Sequence, residues 1–269
     1  MGRLSQCAKR KRTMIAIRTE RELDLIRESC RIVGYAHRAI SRALRPGLRT
    51  MDLDEVAEQA IHENGGTPAF KGYHGYPATT CISINEQVIH GIPGDRQICE
   101  GDLVSVDIGA KYRGYFGDQA ITYAVGEVGP EASQLMSVTR DSLLKGIQAA
   151  QAGGRLGDIS GAVQQWVESH GFSVVRQFVG HGIGRKLHED PAVPNYVPVD
   201  RNPRLRRGIT LAVEPMVNMG GPAVTVADDG WTASTNDGSP SAHFEHVIAI
   251  DGDTAKLLTM TEDEIFDDE

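Results

Sequence analysis

The fold of this chain is decided by two short stretches, residues 101–107 (Gly-Asp-Leu-Val-Ser-Val-Asp) and residues 208–214 (Gly-Ile-Thr-Leu-Ala-Val-Glu). Each opens on a glycine, continues as a short apolar run typical of a buried strand, and closes on a carboxylate. The offset of 107 residues between them also aligns Gly47 with Gly154. This order predicts two related halves that arose by duplication. Identity between the two segments is low, so chance matches are the alternative.

Helical and β-type periodicities alternate around these stretches. A capping box at residues 19–22 precedes a helix that ends before Pro46-Gly47. Further helices are predicted at about 50–63, 130–151 and 158–170. Strands are predicted at 81–84, 103–108, 120–125, 172–175, 209–213 and 243–250. The sequence therefore predicts an α+β fold.

The composition is that of a globular protein. Its 269 residues, 40% hydrophobic and 24% charged, suit one large domain or two tightly joined halves. A net charge of -8 argues against general nucleic-acid binding, DNA included, because phosphates require a positive face. The four cysteines form no Cys-x-x-Cys pair, and no apolar run approaches the ~18–20 residues of a membrane span. A cytoplasmic protein without a membrane partner is expected.

The two ends of the chain differ in charge from the rest. Residues 1–14 are predicted to be a flexible extension with the basic cluster Lys-Arg-Lys-Arg at 9–12, ahead of one folded domain over 15–269. The extension is a solvated tail or an upstream start ahead of Met14, or it docks to an anionic partner such as ribosomal RNA. Residues 261–269 hold six acidic residues and are predicted to be a solvated tail.

Three acidic residues occupy positions where an acid is costly. Asp107 and Glu214 each end a buried-strand pattern, and Glu245 interrupts the run Ala-His-Phe-Glu-His-Val-Ile-Ala-Ile. An unpaired buried carboxylate costs several kcal/mol, so something must compensate for it. Arg185 or Arg207 could do so. A single acid at a strand end is commonly solvated or caps a helix, but three in one chain indicate a site.

Asp118 adds a fourth carboxylate to this set. It follows Asp107 by eleven residues, a span that suits a hairpin returning the chain beside itself. The hairpin would bring both side chains to neighbouring strand positions. Carboxylates crowded in this way hold protons or bind cations, and divalent metals are the simplest answer.

Histidines in a glycine-rich segment are the second signal. Residues 180–191 (Gly-His-Gly-Ile-Gly-Arg-Lys-Leu-His-Glu-Asp-Pro) contain His181 and His188, and the glycines permit close backbone approach. Their spacing of seven differs from the i,i+4 pair of HExxH zinc proteases. A lone histidine is usually a packing or surface residue, but two beside misplaced acids favour a site. His90, in Asn-Glu-Gln-Val-Ile-His-Gly-Ile-Pro, is a third candidate.

Together these motifs resemble one known family. Asn-Glu-x-x-x-His-Gly-Ile-Pro, Asp-x-Gly followed by Gly-Asp, Gly-His-Gly-Ile-Gly with His-Glu-Asp-Pro, Glu-Pro-Met-Val-Asn and Phe-Glu-His are similar, in this order, to type I methionine aminopeptidases. The resemblance runs from about residue 15 to about residue 259, and no insertion of the type II kind interrupts 180–214. It implies the pita-bread fold, in which two pseudo-symmetric halves with a curved antiparallel sheet covered by helices enclose a dinuclear metal site. That fold agrees with the 107-residue offset, which stands without the resemblance.

The resemblance implies a metal-dependent aminopeptidase that removes the initiator methionine from new proteins. It implies five metal ligands, with Asp107 on one ion, His181 and Glu214 on the other, and Asp118 and Glu245 bridging both. Such an oxygen-rich shell suits manganese, iron or cobalt at least as well as zinc. A water between the two ions would attack the first peptide bond. The family also carries a monovalent cation, here near Asn85 and Ser241.

The resemblance also implies catalytic and substrate-binding roles. Glu214 would carry the proton, His188 would hydrogen-bond the oxyanion and His90 the scissile amide nitrogen. The implied lining of the methionine pocket is Tyr73, Tyr76, Cys81 and Trp231, although loop packing is the alternative for both tyrosines. Phe70 stands where a cysteine is frequent and Leu187 where an aromatic is frequent, which leaves the shape of the pocket open.

Two other functions compete with this one. A peptidase of the same fold that cleaves before proline usually carries a long additional N-terminal domain. A degenerate pita-bread protein that only binds partners would lack ligands, whereas all five ligands and both histidines are present. The expected partners are the N-termini of nascent polypeptides, with transient ribosome association, and the expected state is a monomer.

Overall fold

The computed structural model describes residues 14–198 and 202–266. The helices are α1 (Glu20–Ala43), α2 (Thr50–Glu63), α3 (Pro130–Ala149), α4 (Leu156–Ser169) and α5 (Glu262–Phe266). The first four match the predicted helices. Thr19 and Glu22 close the predicted capping box, and a proline begins α3, where its missing N–H costs no helical hydrogen bond. None of these helices is long and apolar enough to cross a membrane.

Among the described residues, most strands are short, and the paired strands run antiparallel in four sheets. They are β1 (Thr67–Pro68), β2 (Thr80–Ile84), β3 (Gln87–Ile89), β4 (Leu103–Tyr112), β5 (Tyr115–Ala124), β6 (Ser173–Val174), β7 (Gly180–Gly182), β8 (Glu189–Val193), β9 (Thr210–Val213), β10 (Met216–Asn218), β11 (Val224–Val226), β12 (Ala233–Thr235), β13 (Ser241–His243), β14 (His246–Asp251) and β15 (Thr254–Leu257). In one sheet β4 pairs with β1, β2 and β5. Another has the order β15-β14-β9-β7-β8, and smaller sheets join β13-β10-β6 and β11-β12-β3.

The two related halves predicted from the repeated stretches are visible in the backbone. α2 and α4 each contain fourteen residues, and each precedes the strand that its repeated stretch forms, β4 (Leu103–Tyr112) or β9 (Thr210–Val213). Gly101 and Gly208 enter these strands with φ of 86° and 85°, a left-handed conformation that favours glycine. The structural partner of Gly47 is Gly153, not the predicted Gly154, because Gly47 and Gly153 both have φ of 89°.

The prediction of one continuous strand over 243–250 is wrong. β13 and β14 are separated by Phe244 and Glu245, and β9 and β10 are separated by Glu214 and Pro215. β9 pairs with β14 while β10 pairs with β13, so the two breaks lie opposite each other. Proline has no N–H to donate to a ladder, which favours a break at that point. Each interruption places one glutamate where the chain passes between sheets.

The described part of the acidic C-terminal segment is not a solvated tail. Residues 262–266 form α5, which contacts α1. Ile265 is 1% exposed, and Arg38 Nε donates a hydrogen bond of 3.2 Å to its carbonyl oxygen. Burial of one isoleucine is enough to bring an acidic stretch onto the core. Residues 267–269, and residues 1–13 of the predicted basic extension, lie outside the described residues.

Candidate active site

Asp107 and Asp118 lie on the same face of one hairpin. β4 and β5 pair in a register that places Asp107 opposite Ala120 and Asp118 opposite Gly109. Side chains alternate along a strand, so Asp118, two residues from Ala120, points to the same side as Asp107. The hairpin predicted from the eleven-residue spacing is present, and both carboxylates line one cavity.

His181, Glu214 and Glu245 reach the same cavity from the other half of the chain. His181 lies on β7, and the two glutamates lie at the paired strand breaks. His181 Nε2 is 3.5 Å from Glu214 Oε1 and 3.9 Å from Asp118 Oδ2. One ligand atom from each of Asp118, His181 and Glu245 lies within 4.8 Å of the others. The structure therefore brings together all five residues that were predicted as metal ligands.

These carboxylates are buried and only partly satisfied. Asp118 is 3% exposed, Glu245 2% and Glu214 6%. Burial raises the pKa of each of the three well above its usual value, and the charge of neighbouring carboxylates raises it further. Among the described residues, Oδ1 of Asp107 and of Asp118 and Oε1 of Glu245 have no hydrogen-bond partner. Unpartnered buried oxygens that face one another fit a site for cations.

The prediction that Arg185 or Arg207 could neutralise these acids is wrong. Arg185 Nη2 lies 3.2 Å from Glu22 Oε1, and Arg207 Nε lies 2.8 Å from Asp251 Oδ1. The two arginine side chains are 68% and 70% exposed, so they lie at the surface and not beside the buried carboxylates. The charge that balances the cluster must come from protons or from bound cations.

His181 is held in the form that ligates a metal. Its Nδ1 lies 2.9 Å from Gly182 O. A carbonyl only accepts, so Nδ1 carries the hydrogen and Nε2 presents its lone pair to the carboxylates. Burial lowers the pKa of His181 to about 3, which keeps the ring neutral. A neutral imidazole whose second nitrogen is fixed by a carbonyl is the usual metal-binding arrangement.

His188 and His90 line the same cavity without joining the cluster of acids. His188 Nδ1 lies 2.8 Å from Tyr73 Oη, and its ring centroid lies 4.2 Å from that of His181. His90 has φ of 60°, a left-handed conformation that is costly for a side chain with a Cβ. Its ring meets Phe178 edge-to-face at 5.4 Å, and burial lowers its pKa to about 4. Burial also lowers the pKa of His188, and both histidines are placed for hydrogen bonding.

The remaining predicted pocket residues form the apolar part of this cavity, whose volume is about 200 Å³. They are Phe70, Tyr73, Tyr76, Cys81, Leu187 and Trp231. The rings of Tyr76 and Trp231 meet edge-to-face at 5.0 Å. Tyr76 Oη lies 2.9 Å from Thr80 O, and Cys81 pairs across the sheet with Asp107. Aromatic walls with one sulfur atom, next to the carboxylates, suit a narrow apolar side chain.

Asn85 and Ser241, the residues predicted near a monovalent cation, are in contact. Ser241 N–H donates to Asn85 O at 2.8 Å. Both side chains already have partners, because Asn85 Nδ2 donates to Asp102 Oδ1 and Ser241 Oγ donates to Val217 O.

Three residues at the site were not predicted from the sequence. His74 and Ile89 line the cavity. His243 Nε2 lies 3.8 Å from Glu214 Oε2 although His243 itself does not line the cavity. His243 could have been found, because it lies two residues before Glu245 in a predicted strand and therefore shares its face. His74 adjoins Tyr73, but nothing in its spacing distinguishes it from a loop histidine.

Known proteins resemble this chain along most of its length. Residues 24–251 match metallopeptidase family M24. The chain is 48% identical over 246 residues to methionine aminopeptidase 1 of Bacillus subtilis, which covers 91% of this chain and 99% of that protein. The crystal structure of methionine aminopeptidase from Thermotoga maritima superposes with a TM-score of 0.90 at 46% identity, and covers 92% of this chain and 100% of that one.

A more distant likeness concerns the fold alone. Prolidase from Pyrococcus furiosus superposes with a TM-score of 0.75 at 24% identity, covering 92% of this chain and 66% of that one. Together with the Thermotoga maritima structure, this likeness confirms the expected α+β pita-bread fold.

Proposed function

This chain belongs to the methionine aminopeptidases of metallopeptidase family M24, and we propose that it removes the initiator methionine from nascent proteins. The observation that carries the proposal is one cavity of about 200 Å³ in which a cluster of acids, four histidines and an apolar wall meet. The acids and histidines can supply the groups that hydrolyse a peptide bond, and the apolar wall can recognise a single apolar side chain.

Divalent metal ions are part of this proposal. Five residues would hold two ions: Asp107, Asp118, His181, Glu214 and Glu245. The charge of two divalent ions balances that of four carboxylates, and the unpartnered oxygens supply ligand atoms. This oxygen-rich shell suits manganese, iron, cobalt or zinc, and a monovalent cation is proposed near Asn85 and Ser241. When bound, divalent ions lower the pKa of water and polarise a carbonyl.

The protein side chains then bind, orient and move protons. Glu214 is proposed to take the proton of the nucleophilic water and pass it to the leaving amine. His188 is proposed to donate from Nε2 to the developing oxyanion, since Tyr73 O–H can donate to its Nδ1. His90 is proposed to hydrogen-bond the scissile amide nitrogen, with Phe178 against its ring. A preorganised donor of this kind contributes about 2.7–4 kcal/mol to lowering the barrier.

Recognition of methionine is proposed to depend on the apolar wall. Its members are Phe70, Tyr73, Tyr76, Cys81, Leu187 and Trp231, with His90 and His188 at the scissile bond. An unbranched thioether fits a narrow aromatic recess, and its sulfur makes favourable contacts with ring edges. Phe70 is 8% exposed and Leu187 1%, and both line the cavity. Their size is expected to tune inhibitor selectivity more than hydrolysis.

The proposed setting is the cytoplasm, where N-termini of nascent polypeptides are the substrates and ribosome association is transient. All five proposed ligands come from one chain, which supports a monomer as the active form. Residues 15–269 are proposed to be the catalytic domain, and the basic cluster at 9–12 is proposed as a contact with ribosomal RNA.

Peptide hydrolysis by metal-free protein supplied with single metals tests this function. Met-Gly-Met-Met and Met-Pro peptides are offered with manganese, cobalt, iron or zinc, beside matched peptides that begin with Leu or Lys. We expect metal-dependent release of methionine and no cleavage of the matched peptides. Cleavage restricted to bonds before proline would instead indicate an X-Pro peptidase. Binding of two ions without any hydrolysis would indicate a binding module.

A further inference from the structure

His243 lies behind the cluster of acids, and its imidazole ring has no function among those proposed above. Its side chain is 1% exposed, and its Nε2 has no hydrogen-bond partner among the described residues. The carboxylate of Glu214 faces this atom, with Oε2 at 3.8 Å. A buried ring nitrogen without a partner costs free energy unless a partner is gained in another state of the protein.

The backbone of His243 is fixed from two sides. Its N–H donates to Thr122 Oγ1 at 2.8 Å, and the Thr122 hydroxyl donates to His243 O at 2.9 Å. Ser105 Oγ lies 2.8 Å from the same hydroxyl, and Ser105 and Thr122 are register partners on β4 and β5. On the other side, His243 pairs with Met216 in the β10–β13 ladder. The imidazole is therefore presented to Glu214 from a rigid support.

The two carboxylate oxygens of Glu214 face different histidines. Oε1 lies 3.5 Å from Nε2 of the proposed ligand His181, and Oε2 lies 3.8 Å from Nε2 of His243. A displacement of roughly 1 Å would bring the second pair to hydrogen-bond distance, and such contacts tighten when a site is loaded. His243 does not line the cavity, so it is placed to act on the carboxylate and not on the substrate.

We infer that His243 is a positioning residue for Glu214, whose Oε2 accepts a hydrogen bond from Nε2–H of His243 so that Oε1 faces the ion site beside His181. The inference rests on the proposed function, because it concerns the same carboxylate. Hydrogen-bond partners behind a ligand orient it and tune both metal affinity and catalysis. Glu214 at a strand break has no ladder to orient its side chain, and His243 supplies that constraint.

The test compares His243→Leu, which removes the donor at similar volume, with His243→Gln, which keeps an N–H donor. Manganese binding to metal-free protein is measured by calorimetry, and kcat and KM are measured with Met-Gly-Met-Met. We expect His243→Leu to bind two ions but to lose about 10–100-fold in manganese affinity, in kcat or in both, with KM little changed. His243→Gln is expected to recover most of that loss. His170→Leu, the same change at an exposed helix end, serves as the control.

Three outcomes overturn the inference. Wild-type affinity and kcat in His243→Leu show that the ring does not act on Glu214. Loss of one manganese per chain makes His243 a ligand and not a positioning residue. An equal loss in both variants, together with a lowered unfolding temperature in both, assigns the effect to packing. Wild-type protein that binds manganese but releases no methionine contradicts the proposed function instead, and the affinity ratio still tests His243.

Discussion

Buried polar groups are satisfied differently on the two faces of the segments that carry Asp118, on β5, and Glu245, between β13 and β14. On the cavity face, each of these carboxylates retains an oxygen without a hydrogen-bond partner among the described residues. On the opposite face lie the next residues along the chain, Gln119 and His246, whose Nε2 and Nδ1 atoms are 3.4 Å apart. His246 Nδ1 lies 2.8 Å from Thr259 Oγ1 and is satisfied by the protein itself.

Further groups on that opposite face are also satisfied. Gln119 Nε2 donates to Met260 O at 2.8 Å. His37 Nε2 lies 3.0 Å from Gln119 O, so this nitrogen carries the hydrogen, and its Nδ1 accepts from the Tyr123 hydroxyl at 3.0 Å. Apart from Gln119 Oε1, which has no hydrogen-bond partner in the part of the chain that the structure describes, these groups form a structural network. Buried polar groups that are paired within the protein stabilise the fold, whereas several unpaired carboxylate oxygens facing one cavity fit the binding of a ligand from outside.

The largest effect on metal binding and activity is expected when a proposed metal ligand is removed from the cavity face. His181→Ala is expected to lose metal and nearly all activity, because several kcal/mol of transition-state stabilisation depend on the bound ions. Elemental analysis and peptide kinetics measure both effects. Full activity in His181→Ala would contradict the proposed metal site.

A smaller effect is expected from a residue of the cavity that is not a ligand. His90→Ala should keep its metal and lose mainly kcat, by about 10²–10³-fold, because it removes one hydrogen bond that forms in the transition state. Metal content and separate kcat and KM values are the measurements. Loss of metal in this variant would place His90 in the ligand set.

On the opposite face, removal of a buried histidine should change how the stability of the protein depends on pH. Burial lowers the pKa of His37 to about 4, below its ordinary value of 6.5. Between these values the unfolded chain takes up a proton that the folded protein does not, so stability is lost as pH falls from about 6.5 to 4, by about 3 kcal/mol at most. Urea unfolding of His37→Gln should show a shallower decline across this window than the wild type. An identical decline in both proteins would exclude His37 as its source.

The smallest effect is expected at the surface. Arg185→Ala and Arg207→Ala remove ion pairs of mostly exposed side chains, each worth less than about 1 kcal/mol. Both variants should bind two metal ions and hydrolyse peptides at the wild-type rate, because neither arginine touches the cluster of acids. A change in metal stoichiometry in either variant would indicate that the arginine does help to neutralise the cluster of acids.

Sequence reasoning succeeded where the pattern is local. The first four helices follow capping and periodicity, which depend on residues three or four apart. Asp107 and Asp118 could be placed together because a hairpin links neighbouring positions along the chain. The residues of the candidate site could also be predicted from the sequence, because acids within apolar runs and histidines among glycines are unusual. Their roles stay predictions until ligands and variants are measured.

The sequence by itself determined which residues are buried acids, where the helices begin, and that two strand-forming stretches recur 107 residues apart. The tertiary structure alone decided that β13 and β14 join different sheets, that Glu214 and Glu245 lie opposite each other at the breaks, and that His243 stands behind Glu214. Alternation along a strand specifies the face of a side chain but not the neighbouring strand. Pairing between residues distant in sequence is settled only when the whole core assembles.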